Sequence, residues 1–152
     1  MTTTELNEEA RRDRQMLELL NELRIALPGV QILFAFLLTV PFSARFDQLS
    51  GFQVDVYFLT LVATALSTAC LIAPSAAHRL RFHKGEREWI IESANRLMIA
   101  GLVFLAIALF GSVLLITDVL FDGARVWIYS ALVALCIVGL WFLRPLARRI
   151  QA

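Results

Sequence analysis

The sequence carries no formal charge through more than half of its length. Four runs contain no Asp, Glu, Lys or Arg, and they cover residues 25–44, 56–77, 97–117 and 126–143, which is 20, 22, 21 and 18 residues. About 20 apolar residues rising ~1.5 Å each cross the ~30 Å hydrocarbon layer of a bilayer. A soluble domain needs a polar surface that these runs cannot supply. We therefore predict an integral membrane protein with four spanning helices.

The net charge is also small, and there are few cysteines. The net charge of +1 gives no general reason to expect nucleic-acid binding. The two cysteines, Cys70 and Cys136, lie inside apolar runs and form no C-x-x-C motif. We expect them to be small packing residues without a disulfide.

Motifs that carry chemistry are missing as well. The sequence has no P-loop, dinucleotide-binding glycine motif, metalloprotease helix or nucleophile–base pair. The histidines His78 and His83, close to Glu86 and Glu88, match no standard metal-ligand spacing. We therefore expect no enzymatic activity, no cofactor and no bound metal.

The charges that are present are strongly partitioned. Of the 14 Lys and Arg residues, 12 lie in the N-terminal segment, the middle loop region or the C-terminal end, and only Arg45 and Arg125 lie in the other two loops. By the positive-inside rule, both termini and the middle loop face the cytoplasm. The first 24 residues are too charged for a cleavable signal peptide, so the first span is expected to act as an uncleaved insertion signal.

The sequence predicts two parts, an N-terminal segment (residues 1–27) and a transmembrane domain (residues 28–152). The first span is expected to begin at about Pro28. The N-terminal segment is predicted to be an amphipathic cytoplasmic helix, because its apolar side chains share one face. These side chains are Met16, Leu19, Leu20, Leu23 and Leu27. The helix either lies on the headgroups and its own bundle or forms a contact between subunits.

Several residues of the first span, and Tyr57 at the start of the second, have predicted roles. Pro41 cannot donate a hydrogen bond to the Leu37 carbonyl, which predicts a kink or early unwinding there. Gln31 places an amide in an apolar run and needs a partner on a neighbouring helix. Tyr57 is expected in the aromatic belt at the outer membrane interface.

The second span carries the clearest polar pattern. Its hydroxyl residues Thr60, Thr64, Ser67 and Thr68 follow i, i+4, i+7 and i+8 spacing and share one helix face. Such a face packs closely against another helix, or it lines a path for water or ions. Small residues of the third span, including Gly101, Ala108 and Gly111, are expected to pack.

Charged residues at the two membrane surfaces complete the candidate sites. Asn95 and Arg96 are placed at the cytoplasmic mouth of the third span. A basic cluster is expected to contact anionic lipid headgroups, and the acidic residues form a candidate outer mouth. The basic residues are Arg79, Arg81, Lys84 and Arg87, and the acidic residues are Asp47, Asp55, Asp118 and Asp122.

Residues 22–46, 71–85, 94–102 and 117–121 together resemble a family of small, uncharacterised bacterial membrane proteins with four helices. The resemblance covers almost the whole chain after about residue 15, and it implies a location in the bacterial cytoplasmic membrane. Some relatives are loosely labelled sodium:proton antiporter. The four uncharged runs, however, lack the intramembrane carboxylate that such coupling usually requires.

These observations predict an all-α, polytopic fold with four transmembrane helices and both termini in the cytoplasm. Four such helices enclose little interior, so we expect a homo-oligomer. The favoured interpretation is a small oligomeric channel or transporter, lined by the hydroxyls of the second span or by Gln31 and Thr39. The alternative is a non-transporting scaffold or accessory subunit that binds a partner through the N-terminal helix or the basic middle loop.

Overall fold

The computed structural model describes residues 3–80 and 87–143, and helices dominate both stretches. The helices are α1 (Thr3–Thr39), α2 (Gly51–Leu80), α3 (Arg87–Leu120) and α4 (Ala124–Ile137), and α4 continues as a π-helical segment over Val138–Leu143. Two short 3₁₀ turns, Val40–Phe42 and Phe46–Gln48, connect α1 to α2. No strand occurs in the described part of the chain.

Each of the four predicted spans corresponds to a helix that is long and apolar enough to cross a membrane. These segments are Arg24–Phe42, Gly51–Ala77, Ser93–Leu120 and Ala124–Leu143. Three of the four helices extend well beyond the uncharged runs, so Asp55 and Asp118 lie inside helices rather than in loops.

The first helix differs from the predicted division at Pro28. Helix α1 runs without interruption from Thr3 to Thr39, so the N-terminal segment and the first span form one continuous helix. Pro28 removes only one hydrogen bond, the bond that its nitrogen would have donated to the Arg24 carbonyl. Its ring is exposed on the helix surface, where no neighbouring helix crowds it. Residues 27 and 28 therefore mark no structural boundary.

The helices pack in the order in which they occur in the sequence. The most extensive contact is between α2 and α3, with α1 on α2 and α4 on α3. Within residues 3–80 and 87–143, no comparable contact joins α1 to α4. In the spans of α1 and α4 only 11% of the residues are buried, against 39% in the span of α2. Helices α1 and α4 therefore present most of their surface to their surroundings.

Two apolar clusters connect α1, α2 and α3. One consists of Val30, Leu71 and Met98, with Leu27 packed against it. The other consists of Leu37, Tyr57 and Leu115. Since α1 supplies one residue to each cluster, one face of that helix is fixed against α2 and α3 along its whole apolar length.

A short turn connects α3 to α4. Only Phe121, Asp122 and Gly123 separate the two helices, which makes them antiparallel neighbours. Gly123 has a φ of 68°, a backbone conformation that residues with a side chain rarely adopt. Two buried hydroxyls, Thr117 Oγ1 and Ser130 Oγ, lie 3.3 Å apart across this contact.

Candidate functional site

The hydroxyl face of α2 lies in the contact between α2 and α3. Thr60, Thr64 and Ser67 are each 1% exposed or less, and Thr68 is half-buried. Within one chain, α3 therefore covers the hydroxyl face of α2, which the sequence allowed either to pack against a helix or to line a path. Among the described residues, no buried side-chain nitrogen or oxygen lacks a hydrogen-bond partner.

The hydrogen bonds of these hydroxyls are mostly local. Thr60, Thr64 and Thr68 donate to the carbonyls of Val56, Thr60 and Thr64, one turn earlier in the same helix, at 2.7, 2.7 and 2.9 Å. Ser67 differs, because its Oγ donates across the contact to the Gly101 carbonyl of α3 at 2.8 Å. Ser67 thus forms a hydrogen bond between α2 and α3, whereas the three threonine hydroxyls bond to carbonyls of α2 itself.

Glycines in α3 allow this close approach. A Cβ built on Gly111 would collide with Thr60 Oγ1 and would lie 3.3 Å from Thr60 Cβ. A Cβ on Gly101 would lie 2.8 Å from Leu71 Cγ. Ala108, between them, is fully buried. The packing predicted for the small residues of the third span is confirmed at these three positions.

The other candidate lining residues lie on α1. Gln31 and Thr39 are both exposed, and Thr39 Oγ1 donates to the Phe36 carbonyl of its own helix at 2.7 Å. The structure therefore separates the six candidates into two groups. The hydroxyls of α2 form an internal contact, and Gln31 and Thr39 lie on the outer surface of α1.

Tyr57 is buried in the contact between α2 and the end of α1. It is 1% exposed, and its hydroxyl donates to the Leu37 carbonyl at 3.0 Å. Its ring makes edge contacts with Phe46 and Phe58, at centroid distances of 5.6 and 5.1 Å. The placement of Tyr57 in the aromatic belt at the outer interface stays a prediction, and its hydroxyl serves a carbonyl inside the protein.

The carbonyl that Tyr57 binds is the one that Pro41 leaves without a partner. The α-helical pattern ends at Thr39 and gives way to a 3₁₀ turn over Val40–Phe42. The early unwinding predicted from Pro41 is confirmed. The sequence signal that would have indicated Tyr57 was the orphaned Leu37 carbonyl, which needed a donor from another helix.

The candidate residues of the cytoplasmic mouth lie near the start of α3. Asn95 and Arg96 are both exposed. Of the basic cluster, Arg79 lies near the end of α2 and Arg87 begins α3, whereas Arg81 and Lys84 lie outside the described residues. His83 and Glu86 also lie outside them. In the described part of the chain, no group of three or more His, Cys, Asp or Glu residues could hold a metal ion.

The acidic residues at the other end of the helices have different environments. Asp47, Asp55 and Asp122 are exposed. Asp118 is half-buried, and its Oδ2 accepts a hydrogen bond from Gln53 Nε2 at 2.9 Å. Asp118 therefore has a structural contact that connects the end of α3 to the start of α2.

Gln53 has a second role that the sequence analysis missed. Its Oε1 accepts a hydrogen bond from the Ser50 backbone N–H at 3.0 Å, and its own N–H donates to Ser50 Oγ at 3.3 Å. This reciprocal pair is a capping box at the start of α2. The S-x-x-Q spacing at residues 50–53 was the signal, and it places the helix start several residues before the uncharged run.

An open apolar cavity of about 310 Å³ lies between the α1–α2 connection and the end of α3. Its lining is almost entirely apolar, with Ser43 and Arg45 as the polar exceptions. The lining residues are Val40, Ser43, Arg45, Phe46, Leu49, Leu115, Ile116, Val119 and Leu120. No sequence pattern indicated it, because it results from the unwinding after Thr39.

Both cysteines are free thiols. Cys70 is half-buried beside Gly101. A Cβ built on Gly101 would lie 3.4 Å from the Cβ of Cys70, as expected for a small packing residue. Cys136 is exposed on α4. The packing role predicted for Cys136 was therefore wrong within a single chain.

The fold and these contacts define an all-helical protein whose four long apolar helices are suited to a membrane. The chain belongs to a family of unknown function, DUF6328, which it matches over residues 5–145. This agrees with the resemblance to an uncharacterised family. No curated protein and no solved structure matches the chain.

Proposed function

We propose that the protein is a non-transporting membrane protein, a scaffold or accessory subunit that self-associates and holds a partner at the membrane surface. The observation that carries this proposal is the use of the α2 hydroxyls. Thr60, Thr64 and Ser67 are buried against α3, and their hydrogen bonds go to backbone carbonyls. A polar path along α2 would require these side chains to face an opening.

The shape of α1 supports a partner-binding role. The helix begins at Thr3, and its membrane-spanning segment begins only at Arg24. The preceding 21 residues, at about 1.5 Å each, extend roughly 32 Å as part of the same helix. A continuous helix of that length, rigidly joined to a span, is a suitable arm for a protein partner. The basic middle loop is the second candidate contact.

Charge partition supports the orientation that we propose. Both termini and the middle loop face the cytoplasm, because 12 of the 14 basic residues lie there. Arg79, Arg81, Lys84 and Arg87 then meet anionic lipid headgroups on the cytoplasmic side. The membrane is the bacterial cytoplasmic membrane, as the family resemblance implies.

A small oligomeric channel or transporter is the second candidate. It is favoured by one specific observation, the exposure of Gln31 and Thr39 on α1. If several copies placed these faces around a common axis, Gln31 and Thr39 would line the space between them. Within the four span segments, the carboxylates that such an ion or solute would meet are Asp55 and Asp118, close to the ends of α2 and α3.

Flux through purified protein in liposomes tests the proposal. We expect proton, sodium, potassium and chloride fluxes equal to those of empty liposomes, with gramicidin as the positive control for cations. The matched variant is Thr39→Val, which removes the exposed hydroxyl at the end of the α1 span without entering the α2–α3 contact. A wild-type flux that Thr39→Val reduces, with assembly intact, would establish the channel and overturn the scaffold.

A further inference from the structure

Gln31 is an exposed amide in the middle of a membrane-spanning segment. The span of α1 is Arg24–Phe42, and its midpoint is Leu33. Gln31 lies two residues from that midpoint, which is about 3 Å along the helix axis. Its side chain is on the exposed surface of α1, away from the contact with α2. In a bilayer, this amide lies in the hydrocarbon.

The amide of Gln31 differs from the buried hydroxyls of α2 and from Thr39. Thr60, Thr64 and Ser67 are buried and hydrogen-bonded within the chain, and the exposed Thr39 hydroxyl binds its own helix. The Gln31 amide has no hydrogen bond within the described residues. Hydrocarbon supplies neither donors nor acceptors, so an amide at this depth needs a polypeptide partner.

We propose that the partner is Gln31 of a second copy, in a parallel α1–α1 contact around a two-fold axis normal to the membrane. A primary amide carries two N–H donors and a carbonyl acceptor, so two facing glutamines satisfy each other. All copies insert in one orientation, so α1 of one copy meets α1 of another in parallel. A two-fold axis then brings each residue near its own equivalent.

The surface around Gln31 fits such a contact. Exposed residues continue from it at alternating spacings of three and four, the pattern of a left-handed helix pair. Ala35, one turn away, is small and exposed, which allows the two backbones to approach. The exposed positions of this seam are Arg14, Leu17, Asn21, Arg24, Pro28, Gln31, Ala35, Leu38 and Phe42.

Two like-charge pairs in the seam, Arg14 with Arg14 in the extension and Arg24 with Arg24 at the start of the span, oppose association. The two Arg24 side chains would approach each other at the cytoplasmic end of the span. At that level, water and lipid phosphates surround the guanidinium groups, and both reduce the repulsion. The Gln31 pair lies about 10 Å deeper, where screening is weak and hydrogen bonds are correspondingly stronger.

This inference rests on the proposed self-association, and it excludes a pore that Gln31 lines. The test uses the full chain with Cys70→Ala and Cys136→Ala, in native membranes and in nanodiscs. Ala35→Cys reports on the seam, and Leu132→Cys, on the exposed surface of α4, is the matched control. We expect oxidation to cross-link Ala35→Cys into dimers and to leave Leu132→Cys monomeric.

Substitution of Gln31 completes the test. Gln31→Leu keeps an apolar exposed surface and removes the amide, so we expect the dimer to dissociate about 5- to 30-fold more readily. Gln31→Asn should restore part of the affinity, and Ile32→Leu, next to the seam, should change nothing. A wild-type dimer that Gln31→Leu leaves intact, without cross-linking at Ala35→Cys, would overturn the Gln31 contact alone. A wild-type monomer would overturn the self-association as well.

Discussion

Tyr57 and Pro41 together explain how α1 ends and how it is held on α2. Pro41 has no N–H to give to the Leu37 carbonyl, and the buried Tyr57 hydroxyl donates to that carbonyl instead. An orphaned carbonyl in a buried position would cost stability. The proline is therefore tolerated because a side chain 20 residues away in sequence replaces the missing donor.

We predict that Tyr57→Phe destabilises the protein by about 1–3 kcal/mol, because it leaves the Leu37 carbonyl without a donor. The free energy of unfolding can be measured in mixed micelles by titration with SDS. In a Pro41→Ala background, residue 41 regains an N–H, and the cost of Tyr57→Phe should fall. Tyr129→Phe is the control, since Tyr129 is exposed. Equal costs of Tyr57→Phe in both backgrounds would contradict this explanation.

Gly111 lets Thr60 approach the backbone of α3. We predict that Gly111→Ala destabilises the protein by about 1–3 kcal/mol, because the new methyl group overlaps Thr60 Oγ1. Thr60→Ala should recover most of that loss when it is combined with Gly111→Ala. Gly29→Ala serves as the control, because nothing lies within 4 Å of its added Cβ. Additive effects in the double variant, measured by SDS titration, would show that the two residues do not interact.

Single residues were predictable wherever the physics was local. Pro41 dictates an unwinding by its covalent structure, and the glycines of α3 indicate close packing by their size. The partner of Leu37 was not predictable, because the sequence alone does not show which buried donor reaches a carbonyl on another helix. Cys136 looked like a packing residue by composition, yet α4 turns it outward.

At the scale of helices, the α2–α3 pair is the structural centre of the chain. Spacing placed the hydroxyls of α2 on one face, and composition indicated a packing face on α3. Neither pattern specified that the two faces meet. Their contact depends on matched positions along both helices, Thr60 with Gly111 and Ser67 with Gly101. That register is a property of the pair and cannot be found in either helix alone.

Loss of an α2 hydroxyl should destabilise the protein more when that hydroxyl donates to another helix than when it donates to α2 itself. We predict that Ser67→Ala costs about 0.6–2 kcal/mol, because it removes a hydrogen bond between helices. Thr64→Val should cost less, because the Thr60 carbonyl that the Thr64 hydroxyl binds is on the same helix. SDS titration of both variants gives the comparison. A larger cost for Thr64→Val would indicate that the α2 hydroxyls have a role beyond this contact.

Helix boundaries were predicted less well than helix existence. The uncharged runs identified all four spans, but the helices start earlier or end later than the runs. The capping box of Ser50 and Gln53 starts α2 several residues before Val56. In α1, the Pro28-Gly29 pair suggested a boundary, whereas the helix continues through it with Pro28 at an exposed site. Hydropathy detects the bilayer-compatible part of a helix and misses its polar extensions.

For the whole molecule, the arrangement of helices explains why surfaces matter more than an interior. The chain packs its helices in sequence order, and α1 and α4 are largely exposed. The open cavity beside the α1–α2 connection is almost entirely apolar. Any function of α1 therefore depends on which molecule covers its exposed surface. Which molecules can reach that surface depends in turn on the side of the membrane to which each end of α1 projects.

The last prediction concerns this orientation. In the full chain with Cys70→Ala and Cys136→Ala, we introduce Asp122→Cys in the α3–α4 turn or Asn21→Cys on the extension of α1. Both positions are exposed. A membrane-impermeant maleimide should label Asp122→Cys in intact cells and label Asn21→Cys only after permeabilisation. The reason is that basic residues resist translocation: the turn carries none and is followed by Arg125 alone in α4, whereas the extension carries several. The reverse labelling would place the α1 arm outside the cell, where no cytoplasmic partner could reach it.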